Sequence, residues 1–328
     1  MATPNVSSFI NSSAQTKCNF TKDFNLLLPV TYSLVLVVGL LLNLTALYAI
    51  LFRIKNWSPN TIYMINLIVC DTLYILTLPF LIYYYSVEKN WPFTEAFCKL
   101  IRFLFYTNLY GSILFLSCIN VHRFIVICHP VRSMGWINAR RARYVSVLVW
   151  VIVLIFQAPV LYFARSKNGT TCTDTTTDEL FEYFLSYSSF ISVIFFLIPF
   201  VLVMLCNSLM VHKLIQPSTV RGAISQRSRQ KSVRMIVIVL LVFIVCFVPF
   251  HLTRSLHYFF RHLKVNCKLL EGSRIAYKIS RPLVTINSCI DPILYFMAGQ
   301  GFRRSLPKKK KQGQRAEEDK GLSSSQTD

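Results

Sequence analysis

The chain has 328 residues, 54% of them hydrophobic and 15% charged, with a formal net charge of +21. A soluble globular domain runs at about 45–50% apolar and about 25% charged residues, so this composition excludes a disordered chain, a disulfide miniprotein and a soluble enzyme. The apolar residues also come in blocks. The 29 residues between Asp23 and Arg53 include no Lys, Arg, Asp or Glu, and a helix needs roughly 20 such residues to cross a hydrocarbon core.

Charged residues used as boundaries give seven blocks in chain order: Phe24 to Phe52, Asn56 to Val87, Phe103 to His122, Tyr144 to Ala164, Tyr183 to His212, Met235 to Thr253 and Pro282 to Phe302. No cationic segment followed by a short apolar stretch opens the chain, so the first block is expected to direct insertion itself. The second and seventh blocks each hold an acid, Asp71 and Asp291. An acid at membrane depth is costly and must face the bundle interior. Pro79, Pro159, Pro199, Pro249 and Pro292 mark expected kinks, about which helices can pivot.

With the amino terminus outside, 21 of the 35 Lys and Arg fall on the cytoplasmic side and 14 outside, the bias that sets orientation in the plasma membrane. Sequons at Asn5, Asn11, Asn19 and Asn168 then lie outside, although further matches begin at Asn43 within the first block and at Asn56 on the inner side. The expected division is a glycosylated extracellular tail over 1–25, a seven-span core over 26–305 and a basic, polar cytoplasmic tail over 306–328 that attracts anionic lipid. Cys18, Cys98, Cys172 and Cys267 fall in the oxidising compartment. Four cysteines allow three connectivities, of which Cys98–Cys172 with Cys18–Cys267 is favoured here. One outer segment breaks the charge rule: Arg254 to Arg281 holds seven cations against the single acid Glu271, which points to an anionic partner.

The inner end of the third block carries His122-Arg123-Phe124; by itself an Arg there is a snorkelling anchor. Together with Asn43 in GLLLN, Asp71 in NLIVCD, Cys98, Trp150, Pro199, FIVCFVP at 243–249 and DPILY at 291–295, however, the chain resembles the rhodopsin-like G-protein-coupled receptors over about residues 25–305. His122 stands where that family usually has an acid beside the inner arginine, Phe247 where it usually has Trp, and Asp291 where it usually has Asn. These departures, with HLTR at 251–254, YKISRP at 277–282 and RFLFYTNLYGSILFL at 102–116, resemble the metabotropic purinoceptors, the nucleotide-activated branch. The resemblance implies an all-α membrane protein, a seven-transmembrane helix bundle with a short amphipathic helix after the seventh span. It also implies coupling through Gq, with Gi second, to phospholipase C and calcium.

Residue spacing supports an anionic ligand independently. His251 and Arg254 are three apart near the end of the sixth block, Lys278 and Arg281 are three apart before the seventh, and Arg102 opens the third; residues three apart share a helix face. Arg102, Arg254, Lys278 and Arg281 are the candidate phosphate contacts, the guanidinium forks suiting bidentate bonds and the ammonium a point charge. Phe103, Tyr106, Tyr110, His251, Tyr258 and Tyr277 could take the base and ribose. The resemblance makes Asp174 a gate at the pocket mouth. It assigns His122, Arg123, Phe124, Phe243, Phe247, Pro249, Asp291, Pro292 and Tyr295 to the switch and G-protein coupling. It also implies a polar interior of Asp71, Asn108, Ser112, Asn287 and Asp291 that could hold sodium. No phosphate-loop or HExxH motif occurs, and neither catalysis, a cofactor nor a nucleic-acid partner is expected. A receptor for an acidic lipid and an organic-anion transporter are the competing readings; a transporter would show two similar halves.

Overall fold

The computed structural model describes residues 26–54, 57–87, 90–167, 171–173, 176–177, 179–215 and 226–298. Six helices are long and apolar enough to cross a membrane: Leu27–Arg53, Pro59–Ser86, Glu95–Cys128, Ala139–Phe163, Phe181–Ile215 and Ile236–His262. A seventh helix, Cys267–Ala298, packs against the first and sixth and completes the bundle. We number these the first to seventh spans. A short helix, Pro130–Trp136, links the third to the fourth.

Burial follows from the solvent each face meets. Half of the second span's apolar window is buried, against 28% for the first, fourth and fifth, so the second span is central and the other three are peripheral. Leu34, Val37, Leu41 and Leu44 of the first span point outward, while Asn43, Asp71, Asn108, Ser112, Asn287 and Asp291 are buried. Lipid tails are as apolar as leucine, so close packing and interhelical hydrogen bonds hold such a bundle. Asn43 Nδ2 donates to the Ser288 carbonyl at 2.8 Å, joining first span to seventh. Trp150 Nε1 donates to Asn66 Oδ1 at 2.8 Å, joining fourth to second. The hydroxyls of Tyr74 and Thr285 meet at 3.0 Å, joining second to seventh.

The prolines leave visible interruptions. Proline lacks an N–H and its ring crowds the carbonyl four residues earlier. The second span accordingly breaks after Ile75 and resumes at Leu78, just before Pro79, and Thr77 Oγ1 donates to the Tyr74 carbonyl at 2.7 Å. The fourth span breaks between Gln157 and Val160, around Pro159. Widened π-helical turns span Val193–Leu197 ahead of Pro199 and Val242–Phe247 ahead of Pro249.

Two features differ from the expected blocks. The sixth helix runs on to His262 and the seventh begins at Cys267, so most of the cationic segment 254–281 is helix and not loop. A charge marks where the apolar layer ends, but backbone hydrogen bonding continues a helix into the polar zone. A two-stranded hairpin, β1 (Arg165–Lys167) against β2 (Thr171–Thr173), also forms, with Cys172 opposite Ser166. Cys172 is disulfide-bonded to Cys98 at the start of the third span, which defines a disulfide end of the bundle. Cys267 is disulfide-bonded as well. Its expected partner Cys18, the sequon residues Asn5, Asn11, Asn19 and Asn168, the gate Asp174 and the amphipathic helix after the seventh span all lie outside the described residues.

Candidate ligand-binding site

Near the disulfide end, three arginines from three spans are buried: Arg102 on the third, Arg254 on the sixth and Arg281 on the seventh, at 5%, 3% and 8% exposure. Arg102 Nη2 donates to the Cys172 carbonyl at 2.9 Å, so the disulfide places the acceptor that fixes this side chain. Arg254 Nη1 donates to the Tyr110 hydroxyl at 3.0 Å, and its guanidinium lies 4.7 Å from the Tyr106 ring centre and 5.5 Å from that of Tyr258. Arg281 Nη2 donates to the Tyr277 hydroxyl at 3.0 Å and Nη1 to the Tyr85 hydroxyl at 3.4 Å. Among the described residues Arg254 has no carboxylate partner. A buried charge without a counter-charge is costly; phenol hydroxyls and ring faces offset part of that cost and leave a site that favours an anion.

Aromatic rings wall the arginines. Tyr106 and Tyr110 stack along the third span at 6.3 Å. His251 lies flat on Phe196 at 4.0 Å, 5.7 Å from Tyr110, and neither of its ring nitrogens has a partner among the described residues. Tyr258 packs on Phe184 at 5.2 Å and on Tyr277 at 6.0 Å, while Tyr277 meets Phe250 at 5.6 Å. Tyr106, Tyr110, His251, Tyr258 and Tyr277 are thus brought together with the arginines. Phe103 is only half buried; Phe105 instead joins the cluster, 5.0 Å from Tyr106 and 5.9 Å from Phe250. Lys278 is half buried one turn from Arg274. Sequence reasoning missed Tyr85, Phe105, Phe196 and Phe250. Phe105 carries a signal, standing three residues after Arg102 on the same helix face; the others give none without the bundle.

Deeper in the bundle, Asn108 Nδ2 donates to Asp71 Oδ1 at 2.9 Å and Asn287 Nδ2 to Asp291 Oδ2 at 2.7 Å. The second carboxylate oxygen of each acid and the Ser112 hydroxyl have no partner among the described residues, a donor set of hard oxygens that fits a small cation. Phe243 contacts Phe247 at 5.4 Å and Phe200 at 6.2 Å within the widened turn before Pro249. At the opposite end from the disulfide, His122 faces the Tyr63 ring at 6.4 Å and Phe124 faces His129 at 5.7 Å. Arg123 is half buried, and its Nε has no partner among the described residues. Pro292 is buried within the seventh helix, while the Tyr295 side chain lies outside the described set.

The sequence matches the family model described as 7 transmembrane receptor (rhodopsin family) over residues 42–295. It is 51% identical over 292 residues to purinoceptor 2 of Rattus norvegicus, covering 88% of this chain and 78% of that one. To purinoceptor 4 of Homo sapiens it is 44% identical over 300 residues, covering 90% and 82%. To purinoceptor 1 of Meleagris gallopavo it is 40% identical over 314 residues, covering 93% and 86%.

Proposed function

Because the chain belongs to the rhodopsin family of seven-transmembrane receptors, and within it to the purinoceptors, we propose that it is a plasma-membrane receptor for extracellular nucleotides of the UTP, UDP, ATP and ADP class. It is a receptor and not an enzyme. The observation that carries the nucleotide reading is the convergence of buried Arg102, Arg254 and Arg281 from three spans on a wall of tyrosines. Guanidinium forks suit a polyphosphate, and the rings beside them offer π-faces for a base. Lys278 serves as a more distant point charge and Asp174 as the gate.

In this reading the disulfide end is extracellular, Cys18 pairs with Cys267, and residues 1–25 and 306–328 are the outer and cytoplasmic tails of the 26–305 core. Phosphate bridging the third, sixth and seventh spans is bound more tightly in the active arrangement, and only that difference shifts the population. The sixth span pivots about Pro249, where the widened turn leaves Phe243 and Phe247 room to repack. A crevice then opens beside Arg123 for a heterotrimeric G protein, Gq in the first instance, leading to phospholipase C and calcium. Asp71, Asn108, Ser112, Asn287 and Asp291 would be the residues to hold a sodium ion in the resting state, its charge offsetting the two buried acids.

The test is intracellular calcium in cells expressing the chain or its Arg281→Ala variant, across UTP, UDP, ATP and ADP. Hydrogen bonds to charged groups are worth about 1.5–3 kcal/mol, so the variant should need about ten- to hundred-fold more nucleotide at equal surface expression. A wild-type response to none of the four at normal surface expression would remove calcium-coupled nucleotide sensing and favour an acidic-lipid ligand.

A further inference from the structure

The fifth and sixth spans touch at their disulfide-side ends, one turn beyond Tyr258. Glu182 lies in the first turn of the fifth span and His262 in the last turn of the sixth, and His262 Nδ1 donates to Glu182 Oε1 at 2.9 Å. Beside them the Arg261 guanidinium lies 4.2 Å from the Phe181 ring centre. We propose that the His262–Glu182 pair is a proton-operated clasp: acidification of the medium at this end charges His262, tightens the contact between the two spans and raises the affinity of the arginine cluster for its ligand.

Local structure prepares both groups. An acid in a first helical turn and a cation in a last turn each meet the favourable end of the helix dipole. The neutral imidazole already donates one proton to the carboxylate. Once the ring is charged, that bond joins opposite charges and is roughly twice as strong. Histidine is the side chain whose charge ordinarily changes between about pH 5 and 8. The neighbouring charges are Glu179 before the fifth span, Arg261 on the sixth, Lys264 in the turn that follows and Lys268 at the start of the seventh; Asp178 lies outside the described residues. Carboxylates, lysines and arginines ordinarily hold their charges over that range, so the imidazole is the group that changes. His257, whose Nδ1 is 3.1 Å from Ser273 Oγ, is a second histidine on this helix.

One ring connects the clasp to the arginine cluster. Tyr258 packs on Phe184 at 5.2 Å and on Phe181 at 6.4 Å, and its ring centre lies 5.5 Å from the Arg254 guanidinium. Holding the two outer turns together therefore holds Tyr258 against Arg254, and a binding group fixed in advance costs less to order. The His262 and Glu182 side chains are 41% and 65% exposed. Water screens such a pair, which limits the gain in affinity to about two- to five-fold. The effect on affinity rests on the nucleotide reading; the clasp does not.

The experiment takes the full chain in nanodiscs at about pH 6 and about pH 7.5 and measures displacement binding of whichever of UTP, UDP, ATP and ADP binds. Terminal phosphates also titrate in this range, so the readout is the difference between wild type and variants at the same pH. His257 is kept in all of them. Wild type should bind about two- to five-fold more tightly than His262→Gln at the acidic pH and match it at the higher one. His262→Arg is charged throughout, so it should show the gain at both, and adding Glu182→Gln should abolish it. A wild type indistinguishable from His262→Gln at the acidic pH, or a gain that survives Glu182→Gln, would overturn the coupling. Hydrogen exchange over residues 257–263 reads the clasp without nucleotide. Wild type should be more protected than His262→Gln at the acidic pH and equal to it at the higher one; equal exchange at both would overturn the clasp. Protection in the ligand-free chain with no binding of any of the four nucleotides would keep the clasp and remove the nucleotide reading.

Discussion

Arg254 uses both properties that separate a guanidinium from an ammonium. Its fork donates to Tyr110, and its plane sits over the rings of Tyr106 and Tyr258. Arg254→Lys keeps the charge but cannot hold that hydrogen bond and both ring contacts at once. Cation–π contacts are worth about 0.5–2 kcal/mol, so under the proposed function displacement binding of whichever of the four nucleotides activates the receptor should show about a tenfold loss of affinity; an unchanged affinity would mean that charge alone matters there. Gly111 makes a different demand. A Cβ at this position would stand 2.9 Å from the Cys70 sulfur on the second span, a contact that real side chains avoid. Gly111→Ala should therefore destabilise the purified receptor by about 1–3 kcal/mol, read as a lower melting temperature. Adding Cys70→Ala removes the sulfur and leaves the Cys70 Cβ at an ordinary 4.0 Å, so the double variant should recover most of the loss.

At the scale of elements, the hairpin matters because of where it holds one carbonyl. The Cys98–Cys172 disulfide fixes the second strand over the third span, and the Cys172 carbonyl accepts from Arg102 at 2.9 Å and from the Tyr84 hydroxyl at 3.5 Å. Replacing both cysteines by serine should lower stability by about 2–4 kcal/mol and, under the proposed function, weaken binding of the activating nucleotide beyond what the lost stability explains, because Arg102 loses its acceptor. Intact binding at reduced melting temperature would show the disulfide to be a tether only. The spans themselves are legible in the sequence because an apolar length is a property of composition, and Arg254 and Arg281 are legible because their i, i+3 neighbours share a face. The helical continuation through 254–281 is hidden by the same charges that bound the blocks. Phe196 and Phe250 are hidden for another reason: in a chain with 26 phenylalanines, only tertiary placement separates the ring under His251 from the rings that face lipid. Tyr85 lies inside an apolar block, and its contact with Arg281 crosses 196 positions of sequence.

For the whole molecule, the balance between resting and active arrangements depends on which contacts exist in only one of them. Many rhodopsin-like receptors have an acid beside the inner arginine; here His122 faces Tyr63 instead, and Arg123 Nε has no partner among the described residues. In the proposed reading, the acid–arginine pair that would restrain the resting state is absent at the end where the G protein docks. His122→Asp would supply a carboxylate onto which the long Arg123 side chain can fold. A half-buried, charge-assisted bond of this kind is worth about 1.5–3 kcal/mol, and each 1.4 kcal/mol present only in the resting arrangement lowers the basal active fraction about tenfold. Ligand-independent G-protein dissociation, measured in cells stripped of extracellular nucleotide, should fall in His122→Asp, and the nucleotide response should shift to higher concentration with its maximum retained. His122→Asn has the same size as the aspartate and no charge, so it should leave the baseline near wild type. An equal fall in both variants would trace the effect to lost packing against Tyr63 and not to a new ion pair at Arg123.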